Sequence, residues 1–360
     1  MPVHKRVSYA VYVVAAIFAL TLFNREALAF DKGSVVEREI RAESLRHSKI
    51  GTDSLRKLSV YLPPGYEMSH QQYPVVYVLP NPIGDFREDF TRHSAARVFD
   101  QAIAAKVIPP CIFVYADFST PLGVSWYANS PVTGNWDDFA VKELVPYIDA
   151  NFRTLARSSS RAIIGNFIGA YGALRLAILH PDVFGAVYAM HPVGTGSGVE
   201  VFTSRPDWAL LEHASSLAQV QNAGFSTLFL SMFQAFLPDT ANAPLYVDLP
   251  VEEAAGNFSV NAELMRLLRS RFFISELVPQ HVEQIKQLRA LKIDWPRSDS
   301  IYDHVYANQA LTHLLNEYGI EHEAEEFNGI GKDDAYWGKS SRMTKEVLPF
   351  LGEHLETGQQ

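Results

Sequence analysis

Cysteine is nearly absent. The one thiol in 360 residues, Cys111, excludes a disulfide framework and any Cys-rich zinc or iron–sulfur site. It stands in the apolar run Cys111 to Tyr115, where a small buried core residue is the simpler reading than a reactive thiol. Basic residues are also in short supply. Lys and Arg total 31 against 40 Asp and Glu, giving a formal charge of -9, and no basic cluster occurs beyond the first few residues. A surface that tracks a phosphate backbone is therefore excluded, and nucleic acid is not an expected partner. Low-complexity segments and internal repeats are missing, and after the N-terminus no apolar stretch approaches the length of a membrane span. At 48% hydrophobic and 20% charged residues, the chain has the balance of a globular protein.

The first 29 residues read as a separate object. His4, Lys5 and Arg6 give a positive start, Val7 to Phe23 is apolar with only Ser8 and Thr21 clearly polar, and Ala27-Leu28-Ala29 supplies small residues for a signal peptidase. Residues 1–29 are expected to be a signal peptide cleaved before Phe30. Residues 30–360 would then be released to the periplasm or the exterior, with no stable membrane span. The alternative is an uncleaved N-terminal anchor, for which 17 apolar residues is at the short limit.

Short apolar runs alternate with amphipathic stretches along the rest. Leu58 to Leu62, Val75 to Leu79, Cys111 to Tyr115, Arg161 to Gly165, Ala186 to Met190, Leu291 to Asp294 and His322 to Phe327 read as strands. Helices are predicted near Ser94 to Ala105, Asp137 to Phe152, Ile168 to Leu179, Val305 to Tyr318 and Ser341 to Leu355. This order predicts an α/β fold with a mostly parallel central sheet and helices on both faces. Residues 193–288 break the rhythm and hold Trp208, Phe233, Phe236, Tyr246 and Phe258, so they are expected to form an insertion over the carboxyl edge of the sheet.

Five blocks carry a resemblance. Val60-Tyr61-Leu62-Pro63-Pro64-Gly65-Tyr66, Tyr73 to Leu79, Glu143 to Asp149, Gly169 to Leu174 and His180 to Gly185 resemble successive blocks of the putative-esterase family, which contains esterase D, feruloyl esterases and mycolyltransferases. The resemblance implies an α/β-hydrolase fold with a nucleophilic serine at a Gly-x-Ser-x-Gly strand-to-helix turn, a later acidic residue and a final histidine, with no cofactor. The residues depart from that pattern at the chemistry itself. The turn here is Gly165-Asn166-Phe167-Ile168-Gly169, and a phenyl ring has no lone pair with which to attack a carbonyl. Ser158, Ser159 and Ser160 precede the strand and should lie at its opposite end, and Ser197 lacks a strand-to-helix setting.

By the same resemblance, the oxyanion region falls on Pro80-Asn81-Pro82 and on Ile168. Pro82 in the donating position would have no N–H to give, leaving that of Ile168. The histidine position falls on Gly331 counting forward from Phe327, or on Lys332 counting back from Tyr336-Trp337. Asp299 is in register for the acidic partner, and it is expected to be solvated or paired with Lys332 or Arg297. His191 follows a strand at the ligand-binding edge and is the candidate ligand contact. His304, His313 and His322 show no metal-ligand spacing, so no metal site is predicted.

The reading that follows is an exported, non-catalytic member of this family that binds a carbohydrate, lipid or protein. The alternative is an active carboxylic ester hydrolase or acyltransferase using residues the sequence does not reveal. Without an imidazole, serine restored at position 167 would be expected to remain inert.

Overall fold

A computed structural model describes residues 32–81, 85–196, 206–330, 334–337 and 342–358. The N-terminal segment 1–29 lies outside them, as do Pro82, Ser197, Gly331 and Lys332. No helix among the described residues is long and apolar enough to cross a membrane.

Eight strands form one sheet: β1 (Ser34–Arg41), β2 (Leu55–Leu62), β3 (Val75–Leu79), β4 (Ile112–Ala116), β5 (Arg161–Asn166), β6 (Ala186–Met190), β7 (Ala290–Ser298) and β8 (Glu323–Ile330). Their spatial order is β1-β2-β4-β3-β5-β6-β7-β8. The first two are antiparallel to their neighbours, and from β4 to β8 every pair is parallel. The four strands expected to be parallel neighbours, at Val75, Cys111, Arg161 and Ala186, are the contiguous centre of this sheet. Their continuous Val/Ile/Ala/aromatic runs are buried along their full length at β3, β4 and β6, as a sheet covered on both faces requires.

The principal helices are α1 (Ala95–Ala104), α2 (Ile168–Leu179), α3 (Phe225–Phe236), α4 (Ala262–Phe272), α5 (Tyr302–Glu317) and α6 (Leu348–His354). One layer of the core gathers α2, α3 and α4 against one sheet face, and a second gathers α1 and α6 against the other. The strand β1 was not foreseen. Its polar sequence Ser-Val-Val-Glu-Arg-Glu-Ile-Arg buries a single residue, Ile40, because it covers an edge rather than filling the interior. Between β6 and β7, the expected insertion consists of short helices, α3, α4 and a small hairpin pairing Val251–Ala254 with Asn257–Val260.

The C-terminal region is fastened through one buried carboxylate on β7. Asp294, fully buried, accepts hydrogen bonds from Tyr188 Oη, Tyr336 Oη and Arg342 Nε, all at 2.8 to 2.9 Å. The Arg342 guanidinium also bridges to Glu325 and lies 4.1 Å from the Phe327 ring centroid. Removing the cation leaves the carboxylate buried without its counter-charge. Arg342→Met is therefore expected to lower stability by about 3 to 5 kcal/mol, read as a shift in the urea midpoint at unchanged slope.

The turn from β5 into α2 is held by close approach of backbones. A Cβ on Gly165 would stand 2.2 Å from the carbonyl oxygen of Gly169, and one on Gly169 would stand 2.1 Å from that of Leu79. Both contacts are to main chain, so no side chain can move aside. Gly169→Ala is expected to cost about 3 kcal/mol, the upper end for overpacking, in a thermal melt. Gly196→Ala, whose Cβ would meet nothing closer than 3.7 Å, should melt like the parent.

Candidate functional site

The parallel register decides what meets at the carboxyl edge. Asn166 of β5 pairs with Met190 of β6, and Met190 pairs with Asp294 of β7. Phe167 and His191, just past β5 and β6, and Asp299, just past the end of β7 at Ser298, therefore leave adjoining strands on one side of the molecule. Phe167 has φ 56 and ψ -111 and His191 has φ 50, conformations that L residues adopt only when the surroundings impose them. Phe167 N–H donates to Met190 O and His191 N–H to Asp294 O, which fixes both turns. The sharp turn expected at Phe167 is present.

Asp299 is not paired with Arg297, and the alternative partner Lys332 lies outside the described residues. Arg297 turns to Glu326, Nε to Oε1 at 2.9 Å. The carboxylate of Asp299 instead faces two histidines. Its Oδ2 lies 2.8 Å from His191 Nε2 and 2.8 Å from His304 Nδ1, while Oδ1 accepts from the Ile301 backbone N–H at 3.1 Å. Burial alone would raise the Asp299 carboxyl, but the hydrogen bonds from His191, His304 and Ile301 outweigh it and hold it well below the usual carboxylate range. An ionised carboxylate only accepts, so each facing nitrogen carries its proton: Nε2–H on His191 and Nδ1–H on His304.

His304 was passed over in the sequence because it lies on α5 rather than after the last strand, five residues beyond the aspartate. The signal available was an Asp and a His separated by one helix entry, Asp299-Ser300-Ile301-Tyr302-Asp303-His304. The relation it creates, a carboxylate gripping Nδ1–H and leaving Nε2 free to accept, is the one by which a base is oriented in acyl transfer. His191, the candidate ligand contact, is instead 1% exposed behind the Phe167 ring. The two rings stack at 5.7 Å between centroids, and His191 Nδ1 has no partner among the described residues. His304 meets the Phe167 ring edge-on at 5.3 Å.

His191, Asp299 and His304 offer three ligand atoms within 4.8 Å of one another, a grouping that chain spacing concealed. Two imidazoles and a carboxylate suit a transition metal in principle. Here both nitrogens bond the same carboxylate oxygen at hydrogen-bond length, and His191 lacks the outer partner that orients a ligating imidazole. Hydrogen bonding accounts for the three positions.

In front of the Phe167 ring opens a cavity of about 310 Å³. Phe167, Ile168, Val193 and Ile301 form its sheet side. Trp126 closes one flank, and Leu228, Phe229 and Met232 of α3 with Phe272 and Phe273 at the end of α4 form the roof. Among the described residues, Asp303 and His304 are the titratable ones in its wall. Trp126 is tied to the roof by its indole N–H, which donates to Ser231 Oγ at 3.0 Å. On the other side of the turn, Asn81 borders a second, mixed cavity with Asp85, His93 and Trp337. The serines Ser158 to Ser160 form a turn before Arg161, at the far end of β5 from Phe167.

Parallel sheet, strand-to-helix turn and converging loops define an α/β-hydrolase fold. Comparison with known proteins agrees. Residues 51–228 match the family described as Putative esterase. Two esterases of Mycobacterium tuberculosis, Esterase MT1326 and Esterase Rv1288, are each 32% identical over 178 residues, covering 48% of this chain and 35% of theirs. The match thus spans about a third of those relatives' length. A solved ferulic acid esterase superposes with a TM-score of 0.61 at 18% identity, covering 89% of this chain and 98% of its own. An S-formylglutathione hydrolase from Agrobacterium tumefaciens gives 0.59 at 17%, covering 91% and 97%. Residues 51–228 thus carry the pattern of the Putative esterase family, on a chain whose fold is that of the α/β hydrolases.

Two measurements probe the cluster. A carboxyl whose folded pKa is depressed adds stability above its unfolded pKa of about 4, and loses that contribution as pH falls below it. Asp299→Asn should therefore cost about 2 kcal/mol near neutral pH. Its stability should also fall less steeply than the parent's between about pH 5 and pH 3 in paired denaturant titrations. The imidazole that a restored nucleophile was thought to lack is present. Phe167→Ser is accordingly expected to gain slow fluorophosphonate labelling at Ser, about a hundredfold or more below a complete site if an oxyanion donor is missing. Phe167→Ser combined with His304→Ala should not label.

Proposed function

We propose that this chain is an exported, non-catalytic member of its family that holds a small elongated lipid between the strand-to-helix turn and the insertion. The observation that carries the reading is Phe167. It occupies the nucleophile's place in the turn and turns a phenyl ring, rather than a hydroxyl, into the cavity wall. A phenyl ring cannot form an acyl-enzyme. The same ring joins Trp126, Phe229, Phe272 and Met232 in a lining that favours apolar surface, at a volume ordinary for a small ligand. Of the three ligand classes the sequence left open, a carbohydrate would leave its hydroxyl groups without partners against such a wall, and a folded protein surface does not enter it. Export rests on the N-terminal residues already described.

The test is binding of N-phenyl-1-naphthylamine, an apolar fluorophore that brightens on leaving water. Saturable brightening by the parent is expected, with at least a tenfold loss in Leu228→Trp, which fills the space. Absence of saturable binding would remove the ligand reading. Hydrolysis of short p-nitrophenyl esters above a mock preparation, or fluorophosphonate labelling of the unmodified chain at any serine, would remove the non-catalytic one.

A further inference from the structure

The cavity is apolar except at one end, and the chemistry of that end is set by Asp299. Because Oδ2 accepts the Nδ1–H of His304, the neutral form of the imidazole offers a lone pair at Nε2. That nitrogen has no partner among the described residues and is not among the buried polar atoms left unpaired, while the ring itself stands in the cavity wall. The wall's other polar side chain, Asp303, is also an acceptor when ionised. With the Asp299 carboxylate behind the imidazole and Asp303 in the wall, an anionic headgroup is disfavoured at this end.

Resting on the lipid-cavity reading, we propose that the ligand is a neutral lipid bearing a hydroxyl group, of the long-chain alcohol or acylglycerol kind, whose O–H donates to His304 Nε2 while its chain runs along Phe167 toward Phe229 and Met232. A donor placed there takes the position that a serine hydroxyl would hold before a triad base, supplied by the ligand in place of the protein. His304 acts here as a binding group, and no bond is made or broken.

The experiment displaces bound N-phenyl-1-naphthylamine with decyl alcohol and with its isomer methyl nonyl ether, which matches it in size but has no O–H. Decanoate and decylamine complete the series. The alcohol should displace the probe at roughly fivefold lower concentration than the ether, the worth of one ordinary hydrogen bond. Decanoate should be weaker than the alcohol. In His304→Leu the alcohol-to-ether ratio should fall to one, a comparison internal to the variant and independent of its own probe affinity. Equal displacement by alcohol and ether in the parent would overturn the proposal, as would a ratio unchanged in His304→Leu. Decanoate or decylamine outcompeting the alcohol would overturn the hydroxyl assignment and leave the cavity reading standing. Failure of the probe to bind the parent at all would defeat the cavity reading, and this proposal with it.

Discussion

Everything at the carboxyl edge depends on how closely α2 is pressed against the ends of β3 and β5. Gly169 brings its Cα so near the Leu79 carbonyl, and Gly165 so near Gly169, that neither position has room for a methyl group. With the helix seated at that distance, the one residue between strand and helix has no relaxed path and is driven to positive φ. Phe167 takes that conformation although it has a Cβ, so the constraint comes from the glycines and the sheet rather than from the residue at the tip. This is why the sharp strand-to-helix turn holds with phenylalanine at its tip. The geometry is a packing solution, and the chemistry at its apex is a separate choice.

The second dependence is electrostatic. Two aspartates on and after β7 solve the same problem differently. Asp294 is enclosed entirely and is neutralised by Arg342, with two tyrosine hydroxyls completing its shell. Asp299 has no Lys or Arg partner among the described residues, and it is kept ionised by donors: His191, His304 and the Ile301 amide. A guanidinium would have closed the site, because it has no face that accepts and no proton to exchange. Imidazoles leave a second nitrogen each. One of these, His191 Nδ1, is sealed behind the Phe167 ring, and the other, on His304, faces the cavity. The asymmetry between the two follows from Phe167, which stacks flat on one ring and meets the other only with its edge.

Most of the scaffold could be read from the chain because its signals are local. Val75 to Leu79, Ala186 to Met190 and the helix Ile168 to Leu179 match the structure residue for residue, since buried parallel strands are short apolar runs and the glycine pair marks where the helix begins. The edge strand Ser34–Arg41 was illegible because an edge needs backbone hydrogen bonds more than apolar side chains. The position of Asp299 at the site was legible, but its partners were not. Arg297 is adjacent along β7, yet alternation on the strand and the pairing with β8 carry it to Glu326. His191 and His304 are 113 positions apart and meet only because β6 and β7 are neighbours in the sheet, which no spacing rule reports.

Phenylalanine at position 167 also sets the character of the cavity. A glycine or alanine at position 167 would equally abolish acyl transfer, and glycine would relieve the strain of positive φ, which is of order 1 to 3 kcal/mol. Phenylalanine keeps the strain and adds ring contacts to His191 and His304, so the tip of the turn presents apolar surface continuous with Phe229, Phe272 and Met232. Against such a lining a water molecule gains few hydrogen bonds, while a hydrocarbon chain gains contact along its whole length. On the proposed reading, the residue that would remove the reaction also improves the container, and the imidazole that Asp299 holds in place stands with Asp303 at its polar end.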